Sequence, residues 1–305
     1  MKKSNNPLLY PLSWLYGLGV GLRNFLFNQG ILKQQSYPIP LICVGNITVG
    51  GTGKTPHVEL LISILRKQYR IAVISRGYKR KSRGLKEVTL TSTAAEVGDE
   101  PKQIKQKYPE VRFVVDGNRR RAMRYLLALP EEERPEVVLL DDGFQHRYVH
   151  PSFTILLIDA QRELHDDELL PLGGLREPAT ARYRADCIIL TKCPHDMQPI
   201  KLRIMQRNLN LYAHQEIFFS RIHYQQPRAV RTLLGGEGSP LPKDALVIAL
   251  SGIASPGLFF SYLEERYELI DQLVYPDHHQ FRRKDFVAIS ERWQELCEQH
   301  SGRPV

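Results

Sequence analysis

Short apolar runs alternate with helix-patterned segments through the first two thirds of the chain. We predict strands at residues 41–44, 71–75, 112–115, 137–140, 154–158 and 187–190. Segments 57–69 and 119–130, which lie between strands, have the periodicity of helices. Continuous apolar strands joined by helices are typical of a parallel sheet covered on both faces. The pattern therefore predicts an α/β fold with a doubly wound, mostly parallel sheet that binds ligands at the carboxyl ends of its strands.

The pattern changes in the last third of the chain. Segment 216–230 is predicted to form linker strands, and a glycine-rich turn at 235–238 follows it. Beyond the turn we predict strand 245–254, helix 256–266, strand 267–277 and helix 284–300. The predicted organisation is an N-terminal helix in 1–30, a main domain in 31–215, the linker strands in 216–230 and a smaller C-terminal α/β domain in 231–305.

The N-terminal segment is apolar but short. Residues 7–22 carry no charge, yet a membrane span needs about 20 apolar residues and Pro11 interrupts the run. Leucines recur at helical spacing, at Leu8, Leu12, Leu15, Leu18, Leu22 and Leu26. Two interpretations are open: a helix that packs into the core, which the sequence alone favours, and an amphipathic helix that lies in a membrane surface.

The composition is that of a globular protein with a basic surface. Of 305 residues, 42% are hydrophobic and 25% are charged, which argues against disorder. The net charge of +9 indicates an anionic partner, which nucleic acid, anionic lipid or a phosphorylated substrate would satisfy equally. The four cysteines form no C-x-x-C pair, so we expect idle thiols rather than a zinc site.

Segment 41–56, LICVGNITVGGTGKTP, places a glycine-rich turn between a strand and a helix. It follows the phosphate-binding pattern G-x-x-x-x-G-K-[ST], except that Thr48 occupies the position of the first glycine. A turn without a ligand is the plainer interpretation, but backbone N–H groups at such a helix start bind phosphates. Lys54 would reach the β- and γ-phosphates, and Thr55 would ligate Mg²⁺. The predicted nucleotide-binding residues are Thr48, Val49, Gly50, Gly51, Thr52, Gly53, Lys54 and Thr55.

A paired acid follows the predicted strand 137–140. Asp141 and Asp142 would supply the acidic group that a phosphate-binding loop needs to hold Mg²⁺. A solvated turn fits one aspartate better than two, because two acids at a buried strand end are costly without a cation. Gln145 and His146 follow closely and would lie beside the metal.

A second acidic pair, Asp99 and Glu100, is predicted to lie in a loop. An ordinary loop acid is the default interpretation, and a general base that accepts a hydroxyl proton is the functional one. An aspartate with its usual pKa of about 3.9 is a weak base, so a tuning partner is expected. His278 or His279, in the segment YPDHHQF, would be that partner.

Three basic runs follow strands, in segments 75–84, 117–124 and 172–178. Each alone is consistent with a solvated loop. Because all three fall at the same predicted sheet edge, they indicate a site for phosphates or other acidic groups. The arginines concerned include Arg76, Arg119, Arg120 and Arg176.

Seven motifs occur in an order that resembles the tetraacyldisaccharide 4'-kinases, the lipid A 4'-kinases of Gram-negative bacteria. They are VGNITVGGTGKTP, SRGYKRK, GDEP, DDGFQH, LGGLREP, TKCP and YPDHHQF, and they span nearly the whole chain. The family's loop lacks the first glycine of the pattern, so Thr48 is expected. The resemblance implies a P-loop NTPase-type fold and ATP-dependent phosphorylation of the 4'-hydroxyl of tetraacyldisaccharide 1-phosphate, with ATP and Mg²⁺ as cofactors.

The resemblance also implies roles for individual residues. Asp99 would be the base, paired with His278, and Lys54 and Arg176 would complete the catalytic set. Thr55, Asp141 and Asp142 would hold the metal. The implied substrate-binding residues are Arg76, Tyr78, Glu100, Arg119, Arg120, Gln145 and His146, with Arg119 and Arg120 left as alternatives for one family position.

The family's N-terminal helix docks on the inner membrane, which favours the interfacial interpretation of residues 7–28. The resemblance thus implies a peripheral protein of the cytoplasmic face, with the lipid A disaccharide precursor and an anionic membrane surface as partners and no nucleic acid. Family members usually continue beyond the position of Val305, so the small domain is expected to be truncated here.

Two other classes of protein remain as alternatives. A regulatory GTPase would carry N-K-x-D, which Thr191–Pro194 approaches only with proline in the aspartate position. A nucleic-acid-linked ATPase would use the basic surface, but no nucleic-acid-binding motif is recognisable and the arginines cluster near the predicted phosphate site.

Overall fold

The computed structural model describes residues 6–162, 164–225, 227, 245–253, 256–277 and 279–300. They form two compact units, of which the first ends at Arg221 and the second begins at Ile222. The helices of the first unit are α1 (Leu9–Asn28), α2 (Lys54–Leu65), α3 (Ala94–Val97), α4 (Asp99–Lys107), α5 (Arg119–Leu127) and α6 (Pro199–Leu209). Its strands are β1 (Leu41–Gly45), β2 (Ile71–Ser75), β3 (Lys86–Glu87), β4 (Arg112–Val115), β5 (Val137–Asp141), β6 (Phe153–Asp159), β7 (Cys187–Thr191) and β8 (Glu216–Phe219).

The eight strands form one sheet in the order β3-β4-β2-β5-β1-β6-β7-β8. All neighbours are parallel except β3, which is antiparallel to β4. β1 lies between β5 and β6, with Val44 opposite both Asp141 and Ile155. The predicted α/β fold with a mostly parallel sheet is confirmed, and the six predicted strands are present with bounds that differ by at most one residue.

Helices cover both faces of the sheet, which explains why its strands are continuously apolar. Val73 of β2 packs in the core cluster that includes Val58 and Ile62 of α2. The next residue, Ile74, packs in the opposite cluster with Met123 of α5. Two short 3₁₀ turns, Leu164–Asp166 and Ala179–Arg184, lie in the segment between β6 and β7. The core thus holds the carboxyl ends of β1, β2 and β5 side by side.

Helix α1 attaches to this unit through polar side chains. Ser13 Oγ donates to the carbonyl of Leu169 and Tyr16 Oη to that of Arg176, both at 2.8 Å. Several large apolar side chains of the helix are exposed instead, namely Tyr10, Leu12, Trp14, Leu15, Leu18, Leu22 and Phe25. Among the described helices, none combines the length and apolar character that a membrane crossing requires.

The second unit contains β9 (Leu246–Ser251), α7 (Gly257–Glu264), β10 (Glu268–Val274) and α8 (Arg283–Gln299). β9 and β10 pair in parallel, as a βαβ connection through α7 requires. Ala249, Phe260 and Leu263 form its small core. The predicted order of strand, helix, strand and helix is present, and the main sheet gains β8 from the segment that was predicted as linker strands. The part of that segment from residue 228 onward lies outside the described residues.

Candidate active site

The loop between β1 and α2 has the backbone geometry of an anion-binding turn. Gly50 and Gly53 have φ values of 102° and 83°, a region where side chains with a Cβ are strained. Gly53 precedes the first residue of α2 directly. Within the described part of the chain, no backbone N–H of residues 50–55 donates to a protein acceptor. Six N–H groups at a helix start are therefore available to an anion.

The carbonyl groups of the same loop are held by the surrounding protein. The N–H of Arg176 donates to the Ile47 carbonyl at 2.7 Å. Arg162 Nη1 donates to the Val49 carbonyl at 2.9 Å, and Thr191 Oγ1 donates to the Thr52 carbonyl at 3.0 Å. A loop whose carbonyls bond outward can present its N–H groups to a ligand. The sequence analysis assigned no role to Arg162 or Thr191, although Thr191 begins the motif TKCP.

Thr48 is accommodated where the phosphate-binding pattern has glycine. It is buried and forms an antiparallel bridge with Leu175, while the N–H of Val49 donates to the Gly174 carbonyl at 2.7 Å. The φ of Thr48 is not positive, so no glycine is needed there. The segment LGGLREP thus lies beside the loop as a short strand-like partner.

Asp142 is bound by two cations. Arg176 Nη1 lies 3.1 Å from both carboxylate oxygens, and Lys54 Nζ lies 3.7 Å from Oδ1. Burial opposes ionisation of Asp142, but the charges of Lys54 and Arg176 outweigh it and lower the pKa of the carboxyl. Asp142 has a φ of 49°, an uncommon conformation for aspartate that often marks a functional position.

Asp141, the last residue of β5, is the opposite case. It is 4% exposed, and burial, followed by the charges of Glu100 and Asp142, raises its pKa to about 7. Its Oδ1 is buried and has no hydrogen-bond partner in the described part of the chain. An unsatisfied carboxylate oxygen of this kind can receive a cation.

The described residues contain no cluster of three or more His, Cys, Asp or Glu side chains suited to a metal ion. Such a cluster is not required at a phosphate-binding loop, because Mg²⁺ keeps waters and takes phosphate oxygens as ligands. Asp141, Asp142 and the Thr55 hydroxyl are the groups of this chain that could complete its shell.

Asp99 and Glu100 do not lie in a loop, as predicted, but in the first turn of α4. The helix dipole stabilises acidic groups at this position. A Cβ on Gly98 would lie 3.1 Å from the Tyr78 carbonyl, so the segments GDEP and RGY are in close contact. Asp99 and Tyr78 are exposed. Glu100 is half-buried, and its charge raises the pKa of Asp141.

The two candidate arginines of α5 differ in position. Arg119 is buried. Burial lowers the pKa of its guanidinium, and the charges of Asp142 and Asp141 offset this only in part. Arg120 is directed elsewhere, with its guanidinium 5.0 Å from the ring centre of Tyr148. These charge interactions associate Arg119 with the two aspartates, whereas its hydrogen bonds go to the carbonyls of Asp116 and Gly117. Arg76, which follows β2, is exposed and contributes to the lowering of the Arg119 pKa.

Gln145 and His146 lie beside the loop. Gln145 Nε2 donates to the Asn46 carbonyl at 2.7 Å, and Arg176 Nη1 is 3.5 Å from Gln145 Oε1. Burial and the nearby Arg119 lower the pKa of His146, which keeps its imidazole neutral at neutral pH.

Asn46 is a residue of the site that the sequence analysis missed. It is fully buried, and its Nδ2 donates to Thr52 Oγ1 at 2.8 Å. A polar residue directly after a buried strand was the signal that could have identified it. The bond closes the loop across its base.

The predicted histidine partners of Asp99 belong to the second unit. His278 lies outside the described residues. His279 Nε2 lies 3.1 Å from Asp285 Oδ2, near the start of α8.

Comparison with known proteins identifies the family. The family model for Tetraacyldisaccharide-1-P 4'-kinase matches residues 5–299. A tetraacyldisaccharide 4'-kinase of Porphyromonas gingivalis is 51% identical over 291 residues, which cover 95% of this chain and 81% of the relative. That of Parabacteroides distasonis is 47% identical over 298 residues, covering 95% and 79%.

A solved structure supports the same assignment. The crystal structure of the "apo" form of LpxK from Aquifex aeolicus in complex with ATP is 33% identical, with a TM-score of 0.68. The match covers 88% of this chain and 81% of that one. With its loop, paired aspartates and arginines in this arrangement, the chain belongs to the tetraacyldisaccharide-1-phosphate 4'-kinase family.

Proposed function

We propose that this chain transfers the γ-phosphoryl group of ATP to the 4'-hydroxyl of tetraacyldisaccharide 1-phosphate, a step of lipid A biosynthesis. The observation that carries the proposal is the pairing of two features. Residues 50–55 offer free N–H groups to phosphates, and Asp142, bound to Lys54 and Arg176, lies beside them. Phosphoryl transfer needs this combination of positioning and charge neutralisation.

ATP would be bound through its phosphates. The N–H groups of residues 50–55 would contact the β-phosphate region, and Lys54 would reach the transferred group. Arg176 would stabilise charge that develops on the transferred group. Because Asp142 holds both cations, they are ordered before the nucleotide arrives. Preorganised charges of this kind lower a barrier without reorganisation during the reaction.

Mg²⁺ fits the donor set of the site. Thr55, Asp141 and Asp142 would hold it, and the partnerless buried Oδ1 of Asp141 is the observation that supports this. When bound, the ion neutralises charge on the β- and γ-phosphate oxygens. For Asp141 to serve as a ligand it must lose the proton that burial favours.

Asp99 would act on the acceptor. The 4'-hydroxyl oxygen attacks the γ-phosphorus while its proton passes to the Asp99 carboxylate, and the bond to the β–γ bridging oxygen breaks to release ADP. The exposed position of Asp99 on the first turn of α4 leaves it accessible to a hydroxyl. A partnership with His278 remains a prediction. The proposed substrate-binding residues are Arg76, Tyr78, Glu100, Arg119, Gln145 and His146, with Arg119 taken rather than Arg120, whose guanidinium lies against Tyr148.

The lipid substrate calls for a membrane surface. Helix α1 exposes leucines and aromatic side chains on the side away from its polar contacts with Leu169 and Arg176. An apolar helical face combined with a net charge of +9 suits an anionic bilayer surface. We therefore assign the protein to the cytoplasmic face of the inner membrane, as a peripheral protein.

The test is transfer of labelled γ-phosphate from ATP to tetraacyldisaccharide 1-phosphate in detergent micelles. Wild type should transfer, and Asp99→Asn should lose about 10²-fold or more, as expected for loss of a general base. Asp196→Asn, at another exposed aspartate, is the matched control and should retain full activity. A wild-type chain that binds ATP without transfer would overturn the substrate assignment.

A further inference from the structure

His57 connects the phosphate-binding loop to the far edge of the sheet. It is the fourth residue of α2. Its Nδ1 lies 2.7 Å from the Gly53 carbonyl oxygen, and its Nε2 lies 3.0 Å from Ser220 Oγ. The sequence analysis identified neither His57 nor Ser220. The two contacts occupy both nitrogens of the ring.

These contacts fix the protonation of the ring. A carbonyl oxygen only accepts, so Nδ1 must carry the proton that bonds to Gly53. Burial lowers the pKa of His57, although the bond to Gly53 opposes this, and the imidazole is therefore neutral at neutral pH. Nε2 is then an acceptor, and the Ser220 hydroxyl donates to it. The Gly53 carbonyl therefore selects the tautomer, and the Ser220 hydroxyl, which can donate or accept, adapts to it.

Ser220 is itself held firmly at the ends of β7 and β8. Its N–H donates to the Leu190 carbonyl at 2.8 Å, and its carbonyl accepts from the N–H of Cys193 at 3.0 Å. The hydroxyl that contacts His57 consequently has a fixed backbone origin. The ring is fixed at one end by the sheet and at the other by the loop.

We infer that His57 is a positioning residue of the nucleotide site, an inference that rests on the proposed ATP binding. The Gly53 carbonyl accepts from the His57 ring and also from the His57 main-chain N–H, at 3.2 Å. The peptide group between Gly53 and Lys54 is planar, so holding this carbonyl also fixes the direction of the Lys54 N–H. That N–H belongs to the free set at the helix start. His57 thus orients a phosphate-binding donor without contacting the nucleotide, and Ser220 holds the other side of the ring in place.

The test separates the two ring nitrogens. In His57→Asn the amide nitrogen replaces Nδ1 and keeps the bond to Gly53, whereas in His57→Gln it replaces Nε2 and reaches Ser220. We expect the ATP dissociation constant, measured by calorimetry, to stay within about twofold of wild type in His57→Asn and to rise about tenfold in His57→Gln, the loss of one hydrogen bond. Ser220→Ala should raise it about threefold.

Two further readouts distinguish positioning from packing. The turnover number at saturating ATP should stay within about twofold of wild type in all three variants, because the substitutions weaken ATP binding and leave the chemical step unchanged. Ring ¹⁵N signals of His57 should report the Nδ1–H tautomer both in wild type and in Ser220→Ala, because the Gly53 carbonyl selects it. Equal weakening of ATP binding by Asn and Gln, or an Nε2–H tautomer in wild type, would overturn the inference.

The outcome is separable from that of the proposed function. ATP binding without transfer to the disaccharide would count against the lipid substrate alone, and the comparison of variants would still stand. A wild-type chain that binds no ATP would overturn both.

Discussion

Arg176 Nη1 lies 3.1 Å from each carboxylate oxygen of Asp142, and the main-chain N–H of Arg176 bonds to the Ile47 carbonyl of the phosphate-binding loop. One residue therefore links Asp142 to the loop by side chain and backbone. Lys54 shares the same carboxylate. Two cations against this one carboxylate leave a positive charge beside the loop, which would favour the proposed binding of phosphates.

Replacing Arg176 should affect the chemical step more than substrate binding. Arg176→Gln removes the charge but keeps the backbone contact, so we expect the turnover number to fall about 10²-fold, the usual effect of losing one preorganised charge. Steady-state transfer at saturating ATP measures this. Arg203→Gln, at an exposed position of α6, is the control and should behave as wild type. Unchanged turnover in Arg176→Gln would contradict the assigned role.

Asp141 should make the nucleotide-free protein less stable as the pH rises. Its folded-state pKa of about 7 exceeds the ordinary value of 3.8, so the folded state keeps a proton that the unfolded state releases. This contribution to stability is complete below pH 4 and is lost as the pH rises through 7. Asp141→Asn should therefore be more stable than wild type at pH 8, by a difference on the order of 4 kcal/mol that disappears near pH 4.

Urea unfolding of both proteins at pH 4, 5, 6, 7 and 8, without nucleotide or Mg²⁺, gives the difference directly. Asp196→Asn should show no such trend, since its carboxylate is exposed. A stability difference between Asp141→Asn and wild type that is independent of pH would show that Asp141 is ionised throughout.

The sequence predicts the strands well because their physics is local. Strands 71–75 and 112–115 have the predicted bounds, since an apolar run buried on both faces has no competing signal. The prediction that Asp99 and Glu100 lie in a loop was wrong, because the segment GDEP resembles a turn. Acidic residues followed by Pro101 in the first turn are also a helix-start signal, and that signal was overlooked.

The supporting residues of the site could not be predicted in the same way. Thr191 bonds to the Thr52 carbonyl and Arg162 to the Val49 carbonyl, across more than a hundred positions of sequence. A backbone acceptor leaves no trace in the side-chain pattern, so neither partner is visible beforehand. The orientation of α1 was not predicted from its residues either, because its leucine spacing alone favoured a helix that packs into the core. In the structure Ser13 and Tyr16 face the rest of the unit, and Leu18 and Leu22 are exposed.

Charged substitutions on α1 should abolish membrane binding without unfolding the protein. Leu18 and Leu22 are 58% and 57% exposed, so Leu18→Glu/Leu22→Glu removes apolar area that the fold does not use. Each leucine contributes about 1.5–3 kcal/mol when fully buried, so we expect binding to anionic vesicles to weaken by 10²-fold or more. Vesicle co-sedimentation and thermal melting measure both quantities.

The matched control lies on α2, where Leu60 and Ile64 are 52% and 56% exposed. Leu60→Glu/Ile64→Glu introduces the same charge at similar exposure but outside the proposed membrane face. It should bind vesicles almost as wild type does. Equal loss in both double variants would indicate that net charge, rather than helix α1, determines the association.

Glu177 should be the most sensitive attachment point of α1. It is 1% exposed and accepts from Arg184 Nη1 at 2.7 Å and from Asn24 Nδ2 at 2.9 Å. Glu177→Ala leaves the Arg184 guanidinium without its carboxylate and releases Asn24, so the free energy of unfolding should fall by about 3 kcal/mol. Urea unfolding measures the loss.

An exposed pair provides the comparison. Arg66 and Glu110 form an ion pair with about half of each side chain in solvent, and Glu110→Ala should lower the free energy of unfolding by less than about 1 kcal/mol. Glu177→Ala/Arg184→Ala should lose less than the sum of the single variants, because the unpaired cation is then removed as well. Additive losses in that double variant would mean that Glu177 and Arg184 stabilise the fold independently.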